Sequence, residues 1–270
     1  MHVAERMASA LRHNRWLDHA DWIWEAVRPI YDASVSVVGR NGLVRVMNGT
    51  DRMLVLPRWR GVKEQYEPEI WRSLMSEVRC GDTFVDVGTY IGLYTIAVAQ
   101  RVGSEGRVIA LEPNPENYAT TRAHVSLNGL GERVELLQAA AGARDESVPF
   151  CLRGDVSHVA QPTDDVERMV RCVRLDTVLR DRPVGILKID VEGYEELVLR
   201  GAEQLLTASA RSPRAMYIEV HPYAWPGSGT TSDSLLQLLT RCGYVAADLN
   251  GEPVTRIERY GEIVARKRRA

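Results

Sequence analysis

Beyond residue 66 the chain alternates between two hydrophobic textures. Short, nearly continuous apolar runs at 83–87, 107–111, 134–138, 185–189, 215–220, 244–248 and 262–266 predict buried strands. Between them, stretches at 93–101, 115–128, 195–206 and 233–242 carry helical spacing, and a further helix is expected over 67–78. This alternation predicts an α/β fold, a mostly parallel sheet wrapped by helices, with ligands bound at the carboxyl ends of strands near the switch in strand order. The last two strands, joined through Asn250-Gly251 and a longer loop, are expected to form an antiparallel C-terminal edge. The segment between the third and fourth strands reads as a loop-rich insert.

Upstream the pattern changes. Residues 1–33 hold Leu11, Trp16, Leu17, Trp22, Ile23, Trp24 and Val27 at loosely helical spacing up to Pro29, which predicts one or two amphipathic helices. Three β-rich segments follow at 35–38, 43–46 and 53–56, parted by Asn41-Gly42 and Asn48-Gly49, and predict a small hairpin or meander. The expected division is an N-terminal helical and small β extension over 1–65, serving as a lid or as a substrate or oligomer contact, and a main domain over 66–270.

Composition narrows the function classes. Apolar residues at 45% and charged residues at 26% are ordinary globular usage. Lys+Arg total 34 against Asp+Glu 36, a balance that creates no field for a polyanion, so nucleic acid is not an expected partner. The cysteines, Cys80, Cys151, Cys172 and Cys242, are scattered without a CxxC pair and fit a reducing cytoplasm. No run approaches 18 apolar residues, so no membrane span is expected, and Met1–Met7 carries charge where a signal peptide needs an apolar stretch. A homo-oligomer is compatible with this composition.

The chemistry concentrates at strand ends. The first strand feeds Gly88-Thr89-Tyr90-Ile91-Gly92 and then a helix, the layout of a nucleotide-type cofactor site. A dinucleotide fingerprint needs a small residue where Tyr90 stands, because backbone must approach the pyrophosphate there. NAD is therefore disfavoured. Asp86 would repel a phosphate but suits an ammonium, and S-adenosylmethionine offers a cationic amino-acid tail on an adenosine body. Glu112 ends the second strand 24 residues after Gly88, the usual distance for an acid that holds ribose hydroxyls. At the end of the third strand, Gln138 and Ala139 are candidates for the adenine edge and face.

The fourth strand spaces Lys188, Asp190 and Glu192 two residues apart, which puts all three on one side while the chain stays extended. The fifth repeats the arrangement with Glu219 and His221. If the two strands are neighbours, an ammonium, three carboxylates and an imidazole converge over the cofactor. A packed core would not collect them, because burying unpaired charge costs several kcal/mol per ion.

Four stretches resemble the FkbM-type methyltransferases: Phe84-Val85-Asp86-Val87-Gly88 with Ile91-Gly92, Leu111 to Tyr118, Leu187-Lys188-Ile189-Asp190-Val191-Glu192-Gly193, and Ile218 to Pro222. The resemblance covers about residues 60–225. It implies a Rossmann-like class I methyltransferase with a seven-stranded sheet, S-adenosylmethionine as cofactor, and cofactor contacts at Asp86, Gly88, Glu112 and Asn114. It also implies O-methylation of a sugar, glycoside or polyketide-type natural product. Thr89 and Tyr90 depart from the Ala-Asn usual in the family, so a contact normally made by asparagine is lost or replaced by a phenol at Tyr90, beside Gly92.

Oxygen methylation requires the acceptor to lose a proton. His221, oriented or assisted by Glu219, is the expected general base, with Asp190 and Glu192 facing the methionine amino group or acceptor hydroxyls and Lys188 ordering the carboxylates. A rival version has Asp190, Glu219 and His221 holding Mg²⁺ or another divalent metal. His158, in the insert, reaches either the cofactor region or solvent. Outside catalysis, the alternative is an adenosine- or nucleotide-binding homologue acting as a subunit.

Overall fold

A computed structural model of the chain describes residues 41–153, 157–160, 164 and 166–268. The helices expected over 1–33, with Trp16, Trp22 and Trp24, and the segment at 35–38 lie outside these residues. The chain divides into two compact units, residues 1–65 and 66–270.

In the first unit, β1 (Leu43–Met47) and β2 (Asp51–Val55) pair antiparallel, Leu43 opposite Val55 and Met47 opposite Asp51. Asn48 and Gly49 turn the chain at φ 49 and 74, left-handed backbone that Asn-Gly accepts readily.

The second unit opens with α1 (Pro68–Glu77) and holds a seven-stranded sheet. Its strands are β3 (Thr83–Val87), β4 (Arg107–Leu111), β5 (Val134–Leu137), β10 (Ile186–Asp190), β11 (Ala215–Val220), β12 (Tyr244–Ala247) and β13 (Gly261–Lys267). They lie in the order β12-β13-β11-β10-β3-β4-β5. Parallel pairing runs from β11 through β5, and β13 is antiparallel to both of its neighbours. The order reverses between β3 and β10, the switch point at which α/β sheets bind ligands.

The central strands are mostly apolar because helices cover both faces of the sheet. Val85, Val87, Ile109, Leu111, Leu187, Ile189, Met216 and Ile218 share one core cluster. α2 (Leu93–Arg101) packs on β3 and β4 and α3 (Pro115–Leu127) on β5, while α5 (Glu195–Arg200), α6 (Glu203–Thr207), α7 (Trp225–Ser228) and α8 (Ser232–Arg241) contribute to the cluster. In α8, Leu235, Leu238 and Leu239 form the buried stripe, and Thr231 with Ser234 closes a capping box at its start.

The expected loop-rich insert is instead a second sheet of β6 (Ala140–Ala141), β7 (Glu146–Cys151), β8 (His158–Val159) and β9 (Arg168–Val173), followed by α4 (Leu175–Leu179). Its order is β6-β9-β7-β8. Val148, Phe150, Val170 and Cys172 alternate inward to give it a small core of its own. Among the described residues no helix is long and apolar enough to cross a membrane.

Candidate active site

The cleft lies where β3, β4 and β10 end, at the switch in strand order, and β7 and β8 of the second sheet contribute Phe150, His158 and Val159 to its wall. About 660 Å³ of space lies between the walls, counting the part open to solvent.

Gly88 follows β3 at φ 83. A β-carbon there would stand 1.8 Å from the carbonyl oxygen of Asp190, so only glycine lets this turn pass the end of β10. Tyr90 also adopts left-handed backbone, at φ 53. It is held from both sides: its N–H donates to Glu112 Oε2 at 2.8 Å, and its carbonyl accepts from Thr121 Oγ1 at 2.9 Å. Glu112 Oε1 accepts the Asn114 N–H at 2.9 Å. One carboxyl thus ties two ligand loops together. Burial pushes Glu112 up to about 8, while the N–H groups of Asn114 and Tyr90 and the Asn117 side chain pull the other way.

Gly88, Tyr90, Glu112, Ala139, Asp190 and Glu192 line the cleft. Four other expected cofactor contacts, Gly92, Asn114, Gln138 and Asp86, are not among the lining residues. Gly92 sits behind the turn, where a β-carbon would lie 2.7 Å from Thr121 Cγ2, so it serves helix packing. Asn114 caps α3, its Oδ1 accepting the Glu116 N–H at 2.9 Å and its Nδ2 donating to Ser157 Oγ at 3.1 Å; Asn117 lines the cleft instead. Gln138 is exposed and outside the wall, because β5 ends at Leu137 and the next inward position is Ala139. Asp86 lies beneath the wall. It is 1% exposed, with Oδ2 accepting from Thr95 Oγ1 at 2.6 Å and Oδ1 buried without a hydrogen-bond partner. Burial raises it to about 6 against the opposing pull of Lys188 and Thr95.

The strands expected to be neighbours pair in parallel, and their register sets Lys188 beside Asp86 and Tyr217, and Asp190 beside Glu219. Buried Lys188 donates to Asp190 Oδ2 at 2.8 Å and stands 4.8 Å from the centroid of the Tyr94 ring. Burial alone would lower its pKa, but the Asp190, Glu67 and Asp86 carboxylates outweigh that and raise it. Lys188 is an ammonium.

His221 is 2% exposed. Its Nδ1 lies 2.7 Å from Glu195 Oε1, while its Nε2 faces Glu192 Oε2 and Glu219 Oε1, each at 3.7 Å. The expected orienting role of Glu219 therefore belongs to Glu195. This fully buried carboxylate also accepts from the backbone N–H of Gly193 and of His221 and from Trp225 Nε1. Burial works against charging the imidazole, yet the Glu195 hydrogen bond and the Glu192 and Asp190 carboxylates raise its pKa overall. Burial likewise raises Glu219, to about 7, with Asp190 adding to the shift. Glu192 lies past the end of β10, in the turn that leads to α5, and still reaches the cluster.

Sequence reasoning missed Glu195, whose one signal was an acid two residues after Gly193 at the start of a helix. It also missed Tyr223 and Tyr260, whose hydroxyls donate to Glu192 and Glu219 and whose rings lie 5.8 and 5.4 Å from that of His221. His158 lines the cleft, its Nε2 at 3.0 Å from Asp164 Oδ2.

Comparison with known proteins adds to this geometry. Residues 86–246 match the family model described as the methyltransferase FkbM domain. Over 79 residues the chain is 39% identical to a probable cobalt-precorrin-6B C(15)-methyltransferase (decarboxylating) from Halobacterium salinarum, a stretch covering 28% of this chain and 41% of that protein. It is similar to the crystal structure of a methyltransferase FkbM from Methylobacillus flagellatus KT at 18% identity and a TM-score of 0.46, covering 68% of this chain and 43% of that one. A putative rRNA methylase from Clostridium thermocellum matches at 14% identity and a TM-score of 0.47, over 74% of this chain and 93% of the other. The chain thus spans less than half the length of the curated relative and of the Methylobacillus protein. The family match takes in the end of β3 with its glycine turn, the Lys188–Gly193 run and the His221 strand end, and the chain belongs to the FkbM methyltransferase domain family.

Proposed function

We propose that the chain is an S-adenosylmethionine-dependent O-methyltransferase acting on a hydroxyl of a sugar, glycoside or polyketide-type natural product, in the cytoplasm. One observation carries the reading: Asp190 and Glu192 belong both to the cleft wall and to the cluster around His221, so a cofactor cleft abuts proton-accepting groups.

The cleft fits this cofactor. No Lys or Arg is among the described lining residues, which leaves a pyrophosphate without a counter-charge, whereas Asp190 and Glu192 favour a cation. Glu112 would hold the ribose hydroxyls, and Leu111, Ala139 and Phe150 offer an apolar strip for the purine. Asp86, with its orphaned Oδ1 beneath, adds negative potential. When bound, S-adenosylmethionine supplies a methyl group made electrophilic by its sulfonium.

The chain's own residues supply the rest. The acceptor hydroxyl gives its proton to Nε2 of His221, whose other nitrogen is fixed by Glu195 and whose imidazolium that carboxylate stabilises. Such base assistance contributes about 10²–10⁴-fold. Phe150 and Val159 help keep water from the cleft. Asp190 and Glu192 in the wall repel a polyanion and favour a neutral acceptor over nucleic acid.

The curated relative's name favours a second reading, methylation at carbon, in this chain too. Incubation with S-adenosylmethionine and a panel of hydroxylated glycosides and polyketides tests both, with the product's methyl resolved by carbon NMR. An O-methyl signal is expected. A C-methyl product, or cofactor binding without turnover on any acceptor, overturns the reading.

A further inference from the structure

The geometry points to a divalent cation site at Asp190, Glu219 and His221, of a size and chemistry suited to Mn²⁺ and more weakly to Mg²⁺. The carboxylate oxygens and the imidazole nitrogen of this trio all lie within 4.8 Å of one another. The three residues come from the ends of two paired strands, so the sheet register sets their spacing.

Two independent features support a cation. The first is the buried Nε2 of His221. Glu195 takes the Nδ1 side of the ring, so Nε2 faces the Glu192 and Glu219 oxygens, each 3.7 Å away. That distance is too long for a direct hydrogen bond and leaves room for an ion between the imidazole nitrogen and the carboxylate oxygens. The 3.7 Å separation lies between the roughly 3.0 and 4.2 Å expected for adjacent and opposite ligands at metal distances of about 2.1 Å.

The second is that each ligand already has an outer partner of the kind metal ligands require. Glu195 fixes His221, Lys188 donates to Asp190, and the Tyr260 hydroxyl donates to Glu219. Among the described residues, four carboxylates, Asp190, Glu192, Glu195 and Glu219, surround this spot together with the Lys188 ammonium. The surplus negative charge calls for a cation, and an imidazole among oxygens favours Mn²⁺ over Mg²⁺.

The role of the cation rests on the O-methyl reading. An acceptor hydroxyl coordinated there loses its proton more readily: the O–H bond breaks, its electron pair stays on oxygen, and the proton passes to Glu192, because Nε2 is now spent on the metal. This changes the proton's destination and leaves the reaction unchanged.

The test uses the full chain stripped with EDTA and titrated with Mn²⁺, followed by calorimetry and pulsed electron paramagnetic resonance. Binding of one Mn²⁺ with nitrogen coupling from a directly bound imidazole is expected. Glu219→Gln should weaken binding at least tenfold with little change in S-adenosylmethionine affinity, and His221→Ala should abolish the nitrogen signal. Tyr260→Phe, an exposed position that leaves the core intact, should weaken Mn²⁺ about tenfold through the lost outer partner. Absence of binding at millimolar Mn²⁺, or binding without nitrogen coupling, overturns the site, as does full methyl transfer in excess EDTA; none of these touches the O-methyl reading. Coupled Mn²⁺ without any O-methyl product supports the site and overturns that reading instead.

Discussion

Glu195 and His221, 26 residues apart in the chain, meet at 2.7 Å, and this contact turns the far nitrogen of the imidazole toward Glu192 and Glu219. Because Glu195 also holds Gly193, Trp225 and the His221 backbone, one buried carboxylate sets the ring and the turn after β10 together.

Replacing Glu195 with Gln puts an amide donor where the carboxylate accepted several hydrogen bonds. Breaking this buried pair is expected to cost about 3–5 kcal/mol of stability. Turnover should fall by about 10²-fold or more, while cofactor affinity moves little. Chemical denaturation and single-turnover kinetics measure the two effects, and a variant with native stability and turnover would remove Glu195 from its role.

Gly88→Ala sets a methyl 1.8 Å from the Asp190 carbonyl oxygen at a positive φ. The strain should cost about 3 kcal/mol, the sum of overpacking and left-handed backbone terms. Cofactor binding should be lost along with it. A thermal melt that leaves the midpoint unchanged would mean the two strand ends are not in contact.

Tyr90 occupies left-handed backbone that asparagine tolerates far better. Tyr90→Asn should relieve about 0.5–1 kcal/mol of backbone strain and keep cofactor binding, since Glu112 and Thr121 hold the backbone of this residue. A destabilised Tyr90→Asn protein would assign the phenol a structural load.

Burial holds the Glu112 proton up to about 8, above the unfolded value of 4.5. The folded chain therefore binds this proton more tightly, and the group's contribution to stability declines as pH rises from about 4.5 to about 8 and is level above that. A ligand donating hydroxyls to Glu112 favours the ionised form, so its binding releases a proton and tightens as pH rises toward about 8. Calorimetry of S-adenosylmethionine binding in buffers of differing ionisation enthalpy reads that proton. Glu112→Gln should abolish the release, and an unchanged release would place the titrating group elsewhere.

The strands that carry the site were legible because each is buried on both faces: β3, β4 and β11 begin and end where their apolar runs do. The two-residue spacing of Lys188 and Asp190, and of Glu219 and His221, survived into the structure because a strand transmits that period directly. The second sheet was hidden. Pro149 interrupts β7 with a residue that reads against strand, and β6 and β8 are two residues each, too short for a periodic signal. Gln138 was placed in the cleft on the assumption that β5 runs one residue further than it does. Glu195 was out of reach for a different reason. Its partners come from another strand end and from α7, and no local pattern announces a contact made only by tertiary folding.

Asp190 borders the cleft on one side and the His221 cluster on the other. A single negative charge shared by two places for positive ligands makes each sensitive to the other's occupancy. By thermodynamic reciprocity, whatever loading the first does to the affinity of the second, loading the second does to the first in equal measure. The side chain that joins these neighbourhoods is therefore also where their energetics become inseparable.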